Sequence, residues 1–129
     1  MATQNCDDKK ECDCASKYYQ YYEEINGEFK SREIELNANG TARWYFGGTS
    51  SGGASYKGTF IEDDNQVILT LKNEMVPCNE SEPHAFSCNE ILILEKIDNN
   101  TLMSVAEFGS EMTTFKYIKT NKENLKYID

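Results

Sequence analysis

Apolar and polar residues alternate through much of the chain, most regularly between residues 28 and 71. Residues 30–36 have the composition of a β-strand, and residues 42–46 carry apolar side chains at every second position. Asn39-Gly40 separates the two runs, and Asn-Gly is a strong hairpin signal because both central residues of a type I′ turn need a positive φ. The pattern predicts a β-hairpin with a type I′ turn at Asn39-Gly40.

The strand pattern continues through most of the remaining chain. Residues 55–61 and 66–71 are strand-like runs separated by a polar turn, and further strands are predicted at residues 91–94, 102–108 and 113–118. Turn signals recur at intervals of about 8 to 14 residues, which is typical of a β-barrel or a β-sandwich. We predict an all-β domain of seven to nine antiparallel strands. The favoured architecture is an up-and-down meander that closes into a barrel, and the alternative is a β-sandwich.

Alternation also assigns the inward face of each strand, and closing the sheet removes its exposed edges. The predicted core includes Trp44, Phe46, Tyr56, Phe60, Val67, Leu69 and Leu71. Four of these are aromatic, and aromatic rings supply large apolar contact surfaces for a ligand. The candidate ligand-binding residues are therefore Trp44, Phe46, Tyr56 and Phe60.

Three stretches do not follow the strand pattern clearly. Residues 18–25 contain four tyrosines whose spacing fits either a helix or a strand, and we expect a short helix or an irregular lead-in that ends at Asn26-Gly27. The glycine-rich residues 47–53 are expected to form the flexible tip of a hairpin. Residues 72–89 contain both prolines and are expected to form a long loop.

The length of 129 residues suits one domain that folds alone. Residues 1–17 are polar and lack an apolar period, so they are predicted to be a disordered tail before a single barrel domain at residues 18–129. The net charge of −9 argues against a nucleic-acid partner, which would need a basic surface. Residues 59–112 hold eleven acidic side chains against two lysines, which indicates either a solvated surface or a surface for a basic protein partner.

Five cysteines are many for a reduced cytosolic protein. No run approaches the roughly 20 apolar residues that would span a bilayer, so we expect no transmembrane segment. The N-terminus has no stretch resembling a signal peptide, and the short polar start is typical of an exported protein without its leader. The expected location is extracytoplasmic, as a secreted protein or a cell-surface lipoprotein.

Two of the cysteines are candidates for a disulfide. Cys78 and Cys88 bracket an irregular loop, and closing a ring of about ten residues would stabilise the fold by roughly 2 to 3 kcal/mol. The remaining three are Cys6, Cys12 and Cys14. Because the count is odd, at least one thiol is free, bonded between chains or linked to lipid. Three close thiols also suit Cu(I) or Zn²⁺, but a fourth ligand is missing, so no metal site is predicted.

Five segments between residues 27 and 119 follow one another in a characteristic order. They are Gly27-Glu28-Phe29, Ile34-Glu35-Leu36-Asn37 with Asn39-Gly40-Thr41, Tyr56-Lys57-Gly58-Thr59-Phe60, Val67-Ile68-Leu69-Thr70-Leu71 and Phe115-Lys116-Tyr117-Ile118. Together they resemble the small lipocalin-like (calycin-type) domains of secreted and lipid-anchored bacterial proteins. The Gly-x-Trp opening of true lipocalins is Gly27-Glu28-Phe29 here. The resemblance implies an up-and-down barrel that can hold a small ligand, and it carries over no binding residue.

Motifs for catalysis or modification are weak. His84 is the sole histidine, and a Cys88 nucleophile with a His84 base would need a third, orienting group that the sequence does not indicate. Three Asn-x-Ser/Thr sequons, at Asn39, Asn79 and Asn99, lie on predicted turns or loops. In a chain rich in Asn and Thr, we interpret them as chance matches.

These observations lead to two functional hypotheses. The first is a non-enzymatic, extracytoplasmic binding module whose apolar, aromatic-lined interior takes a small ligand, with no cofactor. The alternative is an interaction or inhibitor protein whose acidic surface binds a basic protein partner. Salt separates the two hypotheses, because only the acidic-surface interaction should weaken steeply with ionic strength.

Overall fold

Eight antiparallel β-strands form a closed barrel in a computed structural model of the chain, which describes residues 16–49, 51–74, 88–106 and 114–128. The strands are β1 (Lys17–Ile25), β2 (Glu28–Leu36), β3 (Thr41–Gly48), β4 (Ser51–Glu62), β5 (Gln66–Asn73), β6 (Asn89–Asp98), β7 (Thr101–Ala106) and β8 (Lys116–Thr120). Each strand pairs with the next along the chain, and β8 pairs with β1 to close the sheet. The predicted all-β meander closing into a barrel is confirmed, and the β-sandwich alternative is wrong.

The prediction of a short helix or an irregular lead-in at residues 18–25 was wrong, because these residues belong to β1. All nine residues of β1 pair with β2, and part of β1 also pairs with β8. Tyr19 is buried in the barrel, whereas Tyr22 is 40% exposed on the outside. The spacing of the tyrosines alone allowed both a helix and a strand. The strand is favoured because β1 then forms backbone hydrogen bonds with both β2 and β8, at the position where the barrel closes.

The two Asn-Gly pairs make different turns. Asn26 and Gly27 have φ values of 54° and 81°, and Ile25 pairs with Glu28, which is the geometry of a two-residue type I′ hairpin. The pair predicted to form that turn, Asn39-Gly40, does not do so.

The hairpin between β2 and β3 is confirmed, but its turn type was wrong. Within this turn only Gly40 has a positive φ, at 91°. The Gly40 N–H donates to the Asn37 carbonyl at 3.0 Å, and the Asn37 N–H donates to the Thr41 carbonyl at 2.9 Å. This is the three-residue loop in which a type I turn is followed by a left-handed glycine. The loop has one more residue than a type I′ turn, so asparagine keeps an ordinary φ.

The glycine-rich stretch is mostly strand rather than the predicted loop at residues 47–53. β3 extends to Gly48 and β4 starts at Ser51, with an irregularity in the pairing between Phe46 and Gly48. A Cβ atom on Gly53 would lie 2.5 Å from the Phe46 carbonyl oxygen. Glycine is therefore needed here for the close approach of two backbones.

The core lies inside the barrel and agrees with the predicted residues. Five of the seven are buried: Trp44, Tyr56, Val67, Leu69 and Leu71. The other two, Phe46 and Phe60, are half-buried and pack against the core. Within the described ranges, no helix has the length and apolar character needed to cross a membrane.

The chain end packs across the outside of the sheet. After β8 a short 3-10 helix covers Lys122–Asn124, and the buried Ile128 follows it. We call residues 122–128 the C-terminal strap. Its anchor is Glu33, an outward-facing side chain of β2 that is fully buried beneath it.

Candidate functional site

Two ends of the barrel differ in how their inward side chains are covered. We call the end that carries the β1–β2 and β3–β4 hairpins the mouth. Away from the mouth, the barrel is filled by its own apolar side chains, each no more than 1% exposed: Ile34, Val67, Leu69, Leu71, Leu92 and Leu94. The described interior below the mouth is therefore occupied by the protein's own side chains.

Arg32 lies on the inward face of β2 near the mouth and is surrounded by aromatic rings. Its guanidinium carbon lies 4.0 Å from the ring centroid of Phe115, 5.0 Å from that of Phe46 and 5.5 Å from that of Trp44. A guanidinium over an aromatic face is attracted by the partial negative charge of that face. The interaction contributes about 0.5–2 kcal/mol, and the larger value applies where the site is shielded from water. The rings therefore stabilise a positive charge inside the barrel entrance.

The Tyr117 hydroxyl links Arg32 to the core below it. It accepts a hydrogen bond from Nε of Arg32 at 3.0 Å and another from Nε1 of Trp44 at 3.2 Å. Trp44 and Tyr117 are both completely buried, so these bonds satisfy polar atoms that have lost contact with water. Together the three residues form a rigid floor under the mouth.

The half-buried aromatic residues at the mouth form its walls. Tyr21 and Phe115 meet edge to face with ring centroids 5.1 Å apart, and both pack against the core. The Tyr21 hydroxyl donates to Glu23 at 2.8 Å. That hydrogen bond, with burial, raises the pKa of the Tyr21 phenol, which therefore stays neutral at physiological pH.

Three of the four predicted ligand-binding residues come together at this site. The Trp44 ring centroid lies 4.9 Å from that of Phe46 and 5.3 Å from that of Tyr56. Phe60 is not with them, since it lies four residues further along β4, roughly 13 Å away. Its N–H donates to the Gly40 carbonyl at 3.0 Å, which places Phe60 at the opposite end of the barrel.

Four mouth residues were not among the predicted ligand-binding residues: Tyr21, Arg32, Phe115 and Tyr117. Arg32 could have been found, because it shares the alternation of Ile34 and Leu36 and so falls on the core face of its strand. A charged side chain on a core face is a stronger signal of a site than another aromatic residue. Tyr117 falls within a predicted strand, but sequence does not show that it reaches Trp44.

The remaining sequence candidates lie elsewhere or outside the described residues. Cys78, Asn79 and His84 belong to the connection between β5 and β6 and lie outside the described residues. The same holds for Cys6, Cys12 and Cys14 in the N-terminal segment. Cys88 begins the β6 side of that connection, and its carbonyl accepts the Asn73 N–H at 2.8 Å. Asn39 and Asn99 lie exposed on turns, as predicted. Across residues 16–49, 51–74, 88–106 and 114–128, no group of three His, Cys, Asp or Glu side chains could hold a metal ion.

Acidic side chains gather at the end opposite the mouth. The Lys96 N–H donates to the Asn65 carbonyl at 2.8 Å, which brings the β4–β5 turn against β6. Exposed acids at this end are Glu62, Asp63, Asp64, Glu95 and Asp98. Several already have partners: Glu62 bridges Lys96 at 2.7 Å, and the N–H groups of Asn65 and Gln66 lower the pKa of Asp63.

Comparison with known proteins gives no relative. No protein-family model matches the chain, no curated protein matches it, and no solved structure matches it. Function therefore has to be inferred from the geometry of the site itself.

Proposed function

We propose that the protein is a non-enzymatic binding module that takes a small ligand with an apolar or aromatic body at the mouth of its barrel. The observation that supports this most is the arrangement around Arg32. Half-buried rings of Tyr21, Phe46 and Phe115 line the entrance, and buried Trp44 and Tyr117 close it below. Sites for small molecules combine mostly apolar walls with a few fixed polar groups, which is the composition found here.

Each wall residue has a distinct role in the proposal. The rings of Phe46 and Phe115 offer faces and edges on which a planar or branched apolar group can pack. Arg32 places a positive charge beside these rings, and its position is set by its hydrogen bond to Tyr117. The filled interior below Trp44 restricts the ligand to one that binds at the entrance and does not pass through the barrel.

The proposal extends to family and location. A closed eight-stranded meander is the architecture implied by the resemblance to lipocalin-like domains, and it supports membership of that group as a proposal. The five cysteines support an extracytoplasmic protein, either secreted or lipid-anchored.

A neutral aromatic dye provides the first test. N-phenyl-1-naphthylamine becomes fluorescent in apolar surroundings and carries no charge, so its binding reports on the aromatic walls. We expect the wild type to bind it and Phe46→Leu to bind it about two- to tenfold more weakly, since an aromatic contact is worth about 0.5–1.5 kcal/mol beyond burial.

Phe60→Leu is the matched control for this experiment. Phe60, like Phe46, is a half-buried phenylalanine that packs against the core, but it lies at the opposite end of the barrel. Equal binding by the Phe60→Leu variant and the wild type supports a site at the mouth. Dye binding that falls in Phe60→Leu and not in Phe46→Leu would overturn the proposal, as would the absence of dye binding by the wild type.

The acidic end offers a second candidate function, as an interaction or inhibitor protein for a basic partner. The observation that favours it is the gathering of exposed acids at the β4–β5 turn and along β6. Poly-L-lysine is a suitable probe, because its binding should weaken steeply as salt shortens the range of charge interactions. Substituting Asp64 and Glu95 by Asn and Gln should weaken that binding; equal binding by the variant would contradict an acidic docking end.

A further inference from the structure

The C-terminal strap reaches the mouth end of the barrel through two of its side chains. Its backbone is held at the middle of β2, where Glu33 accepts the N–H groups of Lys126 and Tyr127. Phe29 lies near the mouth end of the same strand. The Lys126 ammonium lies 5.8 Å from the ring centroid of Phe29, and the Tyr127 ring centroid lies 6.3 Å from it. Both side chains therefore extend from Glu33 toward the mouth along the outer face of the sheet.

Tyr127 also crosses to β3 and lies against Gly47. A Cβ atom on Gly47 would lie 3.3 Å from the Tyr127 hydroxyl oxygen and 3.4 Å from the ring carbon that carries it. Both distances are shorter than ordinary contacts of roughly 3.5–4.0 Å, so the absent side chain leaves room for the end of the Tyr127 ring. Gly47 follows Phe46 in the chain, and successive residues of a strand point to opposite faces. Tyr127 thus packs outside the backbone that carries a wall of the mouth.

The pairing of β3 with β4 is irregular at this point. Phe46 pairs with Ala54 and Gly48 pairs with Ser51, so that Gly47 alone stands opposite two residues of β4. This arrangement is a β-bulge, which locally interrupts the hydrogen bonds between strands and redirects side chains, often beside a functional site. Tyr127 supplies a contact to β3 at the position where its pairing with β4 is interrupted.

A second route joins the strap to the β3–β4 hairpin. The Phe29 carbonyl accepts the Thr49 N–H at 3.0 Å, and the Phe29 N–H donates to the Thr49 hydroxyl at 3.1 Å. Thr49 lies in the turn between β3 and β4. The strap therefore contacts this hairpin directly at Gly47 and indirectly through Phe29.

The strap also fixes β2 on both sides of Arg32. Ser31 and Glu33 are fully buried on the outer face, and the Ser31 hydroxyl donates to Glu33 at 2.6 Å. The Gln20 amide donates to the Ser31 hydroxyl and to the carbonyl of Asn124 in the strap, each at 3.1 Å. Arg32 lies between these two anchored residues and points inward, into the mouth.

We propose that the C-terminal strap sets the position of the mouth walls, and that Tyr127 is the positioning residue through which it acts on Phe46. This inference rests on the proposed ligand site at the mouth. Tyr127 does not line that site. It packs on Gly47 from outside and holds the bulge in the conformation that places the Phe46 ring centroid 4.9 Å from that of Trp44. Without this contact, Phe46 is followed by a glycine in an irregular segment, which has greater conformational freedom.

Tyr127→Ala tests the proposal in the full chain, because it leaves every mouth side chain in place. Residues that do not touch a ligand can still change its affinity when they are coupled to its site, and we expect Tyr127→Ala to bind N-phenyl-1-naphthylamine about three- to tenfold more weakly than the wild type. Tyr127→Phe keeps the ring against Gly47 and should restore most of the affinity. Without dye, the NMR resonances of the Phe46 ring should shift in Tyr127→Ala, whereas those of the Phe60 ring at the opposite end should not.

Val67→Ala is the control for a general loss of stability. It truncates a buried side chain beside the β4–β5 turn, at the end opposite the mouth. Its free energy of unfolding should fall while its affinity for the dye stays that of the wild type. The proposal is overturned if Tyr127→Ala binds the dye like the wild type, if Val67→Ala weakens binding equally, or if Tyr127→Phe is as weak as Tyr127→Ala.

The measurement without dye separates this proposal from the proposed function. If the wild type binds no dye, the ligand site at the mouth fails. The Phe46 resonances then still decide the role of the strap, since their shift in Tyr127→Ala supports positioning and their constancy overturns it.

Discussion

The carboxylate of Glu33 accepts the backbone N–H of Ile128 at 3.0 Å, joining β2 to the end of the chain across 95 residues. The same carboxylate accepts the N–H groups of Lys126 at 2.6 Å and Tyr127 at 2.8 Å, and the Ser31 hydroxyl at 2.6 Å. Consecutive backbone N–H groups that converge on one anion form a strong binding site for it. A buried glutamate on the outside of the barrel is thus explained by the strap that covers it.

Replacing Glu33 by Gln should release the C-terminal strap. A neutral amide has one acceptor oxygen instead of two charged ones, and hydrogen bonds to charged groups contribute about 1.5–3 kcal/mol. We expect the free energy of unfolding in urea to fall by that amount and the amides of Tyr127 and Ile128 to lose protection from hydrogen exchange. Glu123→Gln, at an exposed position, should change neither measurement. Unchanged protection in Glu33→Gln would show that the strap is held by other contacts.

Two glycines should differ in how strongly they resist substitution by alanine. A Cβ atom on Gly58 would lie 2.0 Å from the Thr70 carbonyl oxygen, which requires the paired backbones of β4 and β5 to separate. Gly58→Ala should therefore cost more than about 3 kcal/mol. Gly27 has φ of 81° and no atom near its Cβ position, so Gly27→Ala should cost only the strain of the left-handed region, about 1–2 kcal/mol. Urea unfolding of both variants checks the order, and the reverse order would contradict it.

The ion pair between Glu35 and Arg43 should make stability depend on pH. Burial raises the pKa of Glu35, but the hydrogen bonds and charge of Arg43, together with Asn37, outweigh burial and lower the pKa below its usual value. A lowered pKa in the folded state gives stability that is complete above the unfolded pKa, near 4.3, and is lost as the pH falls through the folded value. We expect Glu35→Gln/Arg43→Met to lose less stability than the wild type when the pH falls from about 5 to 2. Identical pH profiles would show that the pair contributes nothing to this dependence.

The disulfide between Cys78 and Cys88 stays a prediction, because Cys78 lies outside the described residues. Mass mapping without reduction should find the linkage, and replacing both cysteines by Ala should lower stability by roughly 2 to 3 kcal/mol. Replacing Cys6, Cys12 and Cys14 by Ser should leave the melting temperature within about a degree or two. Free thiols at Cys78 and Cys88 under oxidising conditions would contradict the assignment.

Alternation was sufficient to predict an antiparallel all-β fold, because it fixes which face of each strand is buried, but it left the β-sandwich open beside the barrel. It placed Trp44 and Tyr56 correctly in the core. It did not fix the position of each residue along the barrel axis, because that position depends on the register of every strand pair. Phe60 was therefore grouped with Trp44, Phe46 and Tyr56, although it lies at the end opposite the mouth. The turn type predicted at Asn39-Gly40 was wrong for a similar reason, since the number of loop residues is set by the pairing of β2 with β3. The Arg32–Tyr117 contact joins strands 85 residues apart in the chain, and only closure of the barrel brings them together.

The most direct test of a binding site at the mouth is to locate a bound ligand by NMR. With N-phenyl-1-naphthylamine bound to labelled protein, nuclear Overhauser effects from the dye protons should go to the rings of Tyr21, Phe46 and Phe115. Trp44 is the sole tryptophan, so its indole N–H gives one resonance that reports on the floor of the site and should shift on binding. Contacts confined to Phe60 and the opposite end of the barrel, or to the outer face, with the Trp44 resonance unchanged, would contradict a ligand site at the mouth.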